Sequence, residues 1–342
     1  MNLNKIASGI FITIAVIALL IVGQDFILPL IIAVLVWFLI KEIRKLLFKI
    51  PVIGASIPKW ILSLVATLIL FVISGVMIGL VIENIENLSQ NMELYQQNGA
   101  IINSQLEAQY DVNFSELLST YIGDFDFTNI LKNLFKSVTD LFSNTFIIGF
   151  YVLFLFIEEN VFRQKLTSLY PESEKFSDVS KTLEKINVAI SKYISLKTLV
   201  SLITGVGSFI ALLIIGVDTP LFWAFLIFIL SFIPVIGALV AVIFPATIAL
   251  FQFGDLTHFF IVLGVIGTIQ LIIGNIVEPK IMGNSLNVSS LVVILSLSFW
   301  GMVWGITGMV LSVPITVIMV ILFSQFPTTK SIAIMLSEKG QI

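Results

Sequence analysis

The chain alternates between long apolar runs and short polar knots, and the run from Gly264 to Pro314 is broken midway by the knot Glu278-Pro-Lys-Ile-Met-Gly283. Upstream of the knot, Gly264, Gly267, Leu271, Gly274 and Glu278 recur at spacings of 3 and 4, which places them on one helical face. Gln270 and Asn275 flank that stripe. Pro279 is expected to end the helix, since it has no N–H to donate and restricts the residue before it. Beyond the knot, Gly301, Gly305, Gly308 and Ser312 form a second stripe of small residues. In lipid, small residues let helix backbones approach closely. Both stripes are therefore expected to be close-packed.

Other runs predict further spans, at about 20 residues per crossing. Ile6 to Val22 reads as a retained first span and Phe26 to Ile40, with Pro29 near its start, as a second. Trp60 to Ile82 follows a basic connector containing Lys41, Arg44, Lys45, Lys49 and Lys59. Residues 83–142 leave the apolar register. Val81, Ile85, Leu88, Met92, Tyr95, Gly99, Ile102, Leu106 and Gln109 step by 4 and 3, a seam continuing the third span, and Thr128 to Phe142 is a second amphipathic piece. The pair predicts an extramembrane helical hairpin whose seam closes internally or packs against other subunits.

Phe146 to Ile157 returns across the membrane, up to Glu158 and Glu159. A basic loop follows, with Arg163, Lys165, Lys175, Lys181, Lys185, Lys192 and Lys197, before Thr198 to Gly216 crosses again. Leu221 to Phe251 is too long for one straight helix and should break at Phe232-Ile-Pro-Val-Ile-Gly237, as a hairpin or discontinuous helix. His258 to Val277 is the next crossing. Ser289 to Trp304 and Ile306 to Phe323 form two short spans or a re-entrant hairpin.

The reading is therefore an all-α, polytopic helical membrane protein with about 8 spans, broken or re-entrant helices in its C-terminal half and the extramembrane hairpin. Its expected segments are N-terminal spans (1–82), the acidic hairpin (83–142), a span with a basic loop (143–197), a C-terminal transport core (198–326) and a tail (327–342). Composition agrees: of 342 residues 58% are hydrophobic and 11% charged, with mean hydropathy +1.09, against roughly 25% charged in soluble proteins. Net charge, −3, matters less than its distribution. Segment 83–142 carries Glu83, Glu86, Glu93, Glu107, Asp111, Glu116, Asp124, Asp126 and Asp140 against only Lys132 and Lys136, whereas the other Lys and Arg fall in the opposite set of loops. By the positive-inside rule those loops and both termini are cytoplasmic, in a cytoplasmic (inner) membrane.

With no Cys and one His, His258, thiol chemistry and most zinc sites are excluded, and no Gly-x-Ser-x-Gly elbow accompanies a serine. No catalytic group, metal or cofactor is expected, nor a nucleic-acid partner. A phosphate loop for ATP is also missing, so a transporter would be secondary. Phe253-Gly254-Asp255 with Asp25 gives only a weak hint of an intramembrane aspartyl protease. A non-transporting oligomeric scaffold is a further reading.

A carboxylate within a span is costly, about 2.5–3.5 kcal/mol on insertion scales. Glu278 is accordingly the leading candidate for a gate or a cation- or proton-coupling group, with a boundary carboxylate paired to Lys280 as the alternative. Gln270 and Asn275 serve as interhelical glue or bind a polar solute. Pro234, Gly237, Pro279, Gly283 and Pro314 are expected hinges or helix breaks; Gly264, Gly267, Gly274, Gly301, Gly305 and Gly308 are expected close-packing positions. Asp25, Asp218 and Asp255 fall at turns as solvated charges, His258 reads as an interfacial anchor or pH sensor, and Trp300 and Trp304 as lipid-belt residues or the lining of a solute path.

Phe232-Ile-Pro-Val-Ile-Gly237, Glu278-Pro-Lys-Ile-Met-Gly283, Ser289-Ser-Leu-Val-Val-Ile-Leu-Ser296 and Gly308-Met-Val-Leu-Ser-Val-Pro314 together resemble the autoinducer-2 exporter family of bacterial membrane transporters. The family pattern carries Pro in many members where this chain has Ser289. The resemblance implies a transporter in the lipid bilayer that exports a small polar solute such as autoinducer-2, or exchanges sodium for protons. It also implies a homo-oligomer, with a pentamer among the arrangements open.

Overall fold

The computed structural model describes residues 3–48, 58–110, 144–170, 173–283 and 287–340. Its helices are α1 (Leu3–Val22), α2 (Gln24–Phe48), α3 (Lys59–Gln90), α4 (Met92–Tyr110), α5 (Thr145–Leu169) and α6 (Ser173–Ile215). They continue as α7 (Pro220–Leu230), α8 (Ile236–Phe253), α9 (Leu256–Ile272), a π-helical turn (Ile273–Val277), α10 (Glu278–Met282), α11 (Ser290–Gln325) and α12 (Lys330–Leu336). Among the described residues, six helical stretches are long and apolar enough to cross a membrane, and Ala7–Val22 and Pro220–Leu230 are shorter apolar helices. The protein is all-α and polytopic. Side chains such as Phe11, Leu68, Ile214 and Met302 are exposed, an apolar surface that suits lipid and not water. The second half of the expected extramembrane hairpin, Thr128 to Phe142, lies outside the described residues. In its first half the helix breaks once, at Asn91, between α3 and α4.

The chain divides into two compact units: residues 1–71, 143–196 and 284–342, and residues 72–142 and 197–283. In unit one α2 packs chiefly on α5 through Ala33, Ile40, Ile148 and Val152, a core that Ala66 of α3 joins. Lys41, expected in a solvated connector, is instead helical, because α2 runs on to Phe48. Its ammonium lies 3.5 Å from Glu159, donates to Asn187 Oδ1 at 3.2 Å and sits 4.1 Å over the Trp37 ring. The basic loop expected after Ile157 is likewise helical, spanned by α5 and α6.

Helix α11 is two arms joined at Trp304 (φ −132°, ψ 17°) and Gly305 (φ 60°, ψ −142°), where the backbone leaves helical geometry. Gly305 supplies the left-handed φ that an L side chain resists. The arms fold on each other: a Cβ at Gly308 would lie 1.9 Å from the Trp300 carbonyl oxygen, and Ser296 Oγ donates to the Ser312 carbonyl at 3.1 Å. The two arms thus form a helical hairpin. Two expectations are corrected here. Pro314 does not break the chain; it is buried inside the second arm, whose dihedrals stay helical. Nor do Gly301, Gly305 and Gly308 share one face, because the turn falls between them: Gly301 and Gly308 pack the arms together while Gly305 makes the turn. Trp300 and Trp304 are 8% and 6% exposed, core residues rather than a lipid belt. Their rings are 4.7 Å apart, and Trp304 Nε1 donates to the Leu20 carbonyl at 3.0 Å, tying the hairpin tip to the α1–α2 joint.

Unit two packs the C-terminal part of α6 against α7 at Gly205, where an added Cβ would sit 3.1 Å from the Ala224 carbonyl oxygen and 3.2 Å from Phe228 Cβ. Helix α4 docks on the α8–α9 turn through Asn98, whose amide donates to the carbonyls of Phe251 (2.6 Å) and Gln252 (3.1 Å). Gln252 in turn links to Gly216 O (2.9 Å) and to the Asp218 N–H (2.8 Å).

Candidate functional site

The apolar run 220–253 breaks where the sequence predicts. Between α7 and α8 the chain turns through residues 231–235, and the Ile236 N–H donates to the Pro234 carbonyl at 2.7 Å. That i→i+2 bond closes a γ-turn on Val235, at φ 62°, ψ −64°, a rare and strained conformation, doubly so for a β-branched residue. Gly237 is required one step later, since a Cβ there would lie 1.8 Å from the Leu230 carbonyl oxygen. The break is a tight hairpin.

The second irregularity lies in the helix leading to Glu278. Residues 273–277 form a π turn, with the Glu278 N–H bonded to the Ile273 carbonyl. Helical geometry then continues through Pro279 to Met282 and stops at Gly283 (φ 48°). Pro279 therefore does not end the helix. Its missing N–H falls beside a bulge where the i→i−4 ladder is already interrupted, so little more is lost.

Both irregular segments face one cavity of about 710 Å³ within unit two, lined also by Lys197, Thr204, Ser231, Gly267, Gln270 and Glu278. Lys197 and Glu278 form an ion pair. The lysine side chain is only 6% exposed, the carboxylate 29%. Gln270 Nε2 is buried without a hydrogen-bond partner among the described residues, and the Asn275 amide folds onto its own helix, donating to Leu271 O at 3.0 Å. The cavity thus offers a charged pair, an unfilled amide donor and hydroxyls in a largely apolar wall, the composition of a polar-solute site.

Among the sequence candidates, Glu278, Gln270, Asn275, Pro234, Gly267 and Gly274 line this cavity. Lys280 does not; it is exposed, and two residues from Glu278 it does not share its face. The carboxylate is paired with Lys197 instead. The close packing expected at Gly264 and Gly274 is absent, for a Cβ at either would meet nothing within 4 Å among the described residues, and at Gly267 only Val242 at 3.9 Å. The stripe borders open space; the close approach occurs at Gly205. Pro314, Gly301, Gly305 and Gly308 belong to unit one and do not line the cavity. Sequence reasoning missed Lys197, counted there as a loop lysine, together with Thr204 and Ser231. Its signal was Lys197, Val200 and Thr204 at spacings of 3 and 4 at the head of an apolar run.

At the opposite end of this unit, Asp255 caps α9, accepting from the His258 N–H (2.8 Å) and contacting His258 Nδ1 (2.7 Å). The imidazole stacks on Phe253 at 3.9 Å. Burial acts to raise the Asp255 pKa, but the His258 contacts outweigh it and hold the group below the ordinary aspartate range.

Residues 10–328 match the model of the AI-2E family transporters. The chain belongs to that family. It is 34% identical over 229 residues to the AI-2 transport protein TqsA of Escherichia coli, covering 67% of this chain and 65% of that one. A Haemophilus influenzae protein named with a provisional transport role is 28% identical over 348 residues, 99% of this chain and 97% of its own. A similarly named protein of Borreliella burgdorferi is 34% identical over 256 residues, 73% and 68% of the two chains. The AI-2E chain is thus a multi-pass membrane transport protein, and its family and relatives carry transport names rather than enzyme names.

Proposed function

We propose that this AI-2E protein is a secondary transporter of the cytoplasmic membrane that exports a small polar solute such as autoinducer-2 through the unit-two cavity. The observation carrying this reading is that two breaks in regular helix, the Val235 γ-turn and the π turn before Glu278, converge on one cavity with a buried Lys197–Glu278 pair. Interrupted helices with polar groups at the break are how transporters bind solutes within the bilayer. The name of TqsA supports the solute class. The distribution of Lys and Arg supports cytoplasmic termini. A homo-oligomer, with a pentamer among the arrangements open, belongs to the same proposal.

The Lys197–Glu278 pair favours a second reading, sodium/proton exchange, in which the pair opens when a cation replaces the ammonium at the carboxylate. Proteoliposomes loaded with autoinducer-2, or with a pH-sensitive dye under an imposed sodium gradient, separate the two. Gly274→Leu is the informative variant: its side chain enters open space, so insertion and folding persist while solute flux falls at least tenfold. Unchanged flux through a correctly inserted Gly274→Leu protein refutes the cavity as the path. Absence of both fluxes from the unmodified protein favours an oligomeric scaffold that moves nothing.

A further inference from the structure

Unit two holds a second polar pocket, of about 210 Å³, lined by Asn84, Asn87, Asn91, Tyr95, Asp218 and Trp223 among others. It is remote from the Lys197–Glu278 cavity. Lys197 and Ile215 are the ends of one helical run of α6, and eighteen residues at 1.5 Å each separate them by about 27 Å. Asn84, Asn87 and Asn91 recur at spacings of 3 and 4 from α3 into its break with α4, beside the apolar seam, which meets them at Tyr95.

The lining specifies its ligand by elimination. No Lys, Arg or His lines the pocket among the described residues, and Asp218 is there, so an anion is not favoured. A bare cation fits poorly as well, because the wall presents an obligate donor. Trp223 is 2% exposed, yet its Nε1–H, which can only donate, has no partner among the described residues. Burial pushes the Asp218 pKa up, and its carboxylate already accepts a hydrogen bond from the Tyr95 hydroxyl. Asparagine amides both donate and accept, which is what an alcohol O–H also does. At about 30 Å³ per water the space holds roughly seven waters, or one molecule of about ten non-hydrogen atoms.

We propose that this pocket is a binding site for a small neutral polyhydroxylated molecule, with the Trp223 indole N–H donating to one of its oxygens and the asparagine amides meeting its hydroxyls. Binding here does not depend on the transport assignment. The full-length protein in lipid nanodiscs is titrated calorimetrically with D-ribose, ribitol and glycerol, and with sodium chloride and inorganic phosphate as ionic probes. The expected result is saturable binding of at least one polyol, one per chain, weakened at least fivefold in both Trp223→Phe, which removes the N–H and keeps a ring, and Asn87→Ala. Gly274→Leu, which fills the first cavity and leaves the fold intact, should leave that affinity within twofold. Three results overturn the proposal: no saturable polyol binding, which makes the pocket a water site; binding of an ionic probe instead; or polyol binding untouched by both variants. Polyol binding lost in Gly274→Leu alone also overturns it, while placing the ligand in the other cavity.

Discussion

Removing either member of the Lys197–Glu278 pair should destabilise the protein, and the two removals should differ in size. At contact distance and an effective dielectric near 20, the mutual attraction is on the order of 5 kcal/mol, offset by the cost of drying both charges. Breaking a buried pair typically costs about 3–5 kcal/mol because one charge is left uncompensated. The pair is asymmetric: the lysine side chain is 6% exposed and the carboxylate 29%, with cavity space beside it. Glu278→Gln strands the drier charge, so it should cost near the full ~3–5 kcal/mol. Lys197→Met strands the wetter one, which cavity water can solvate, and should cost about half as much. The double variant should recover most of the loss, with a coupling of about 2–3 kcal/mol in the range seen for contacting residues. Reversible SDS unfolding of the four proteins measures this cycle. A coupling below about 0.5 kcal/mol, or a larger loss for Lys197→Met than for Glu278→Gln, refutes the reasoning.

Gly237→Ala should destabilise the protein by more than about 2 kcal/mol, since its Cβ would fall 1.8 Å from the Leu230 carbonyl oxygen and the α7–α8 hairpin would have to open; SDS unfolding measures it. In the α11 hairpin, Gly308→Ala meets the Trp300 carbonyl at 1.9 Å and should lower the melting temperature well beyond Gly301→Ala, which meets the flexible Met309 side chain at 2.9 Å. Equal melting temperatures for these two would contradict the hairpin. For Asp218, burial raises the native pKa above the unfolded value. Its contribution is therefore fully present below the ordinary aspartate range near 4 and is lost as pH rises through the raised native pKa. Asp218→Asn should remove that part of the pH dependence in melting curves taken from acid to neutral pH.

The sequence by itself determined the class, the membrane and one place where regular helix fails, while at Pro279 and Pro314 the fold carried the helix on. An apolar run of excess length holding Pro234 and Gly237 must break near them, because one residue cannot donate and the other tolerates contacts no side chain can. The boundary between Ser289–Trp304 and Ile306–Phe323 was legible too, although Gly305 itself was read as a packing position and only the fold made it the turn. The sequence was also enough to single out Glu278, since an acid among apolar residues is expensive wherever it lies in the span. What it could not assign was partnership. Lys280 is near Glu278 in sequence, but helical geometry turns it away, and the partner comes from Lys197, remote in sequence and brought close by packing of α6. The glycine stripe at Gly264, Gly267 and Gly274 shows the same division. Its periodicity fixes a face, but whether that face meets a neighbouring backbone or borders a cavity depends on where another helix is placed. Asp218 and the asparagines of α3 and α4 were unremarkable polar positions in sequence for this reason as well; only the fold brings them together around Trp223.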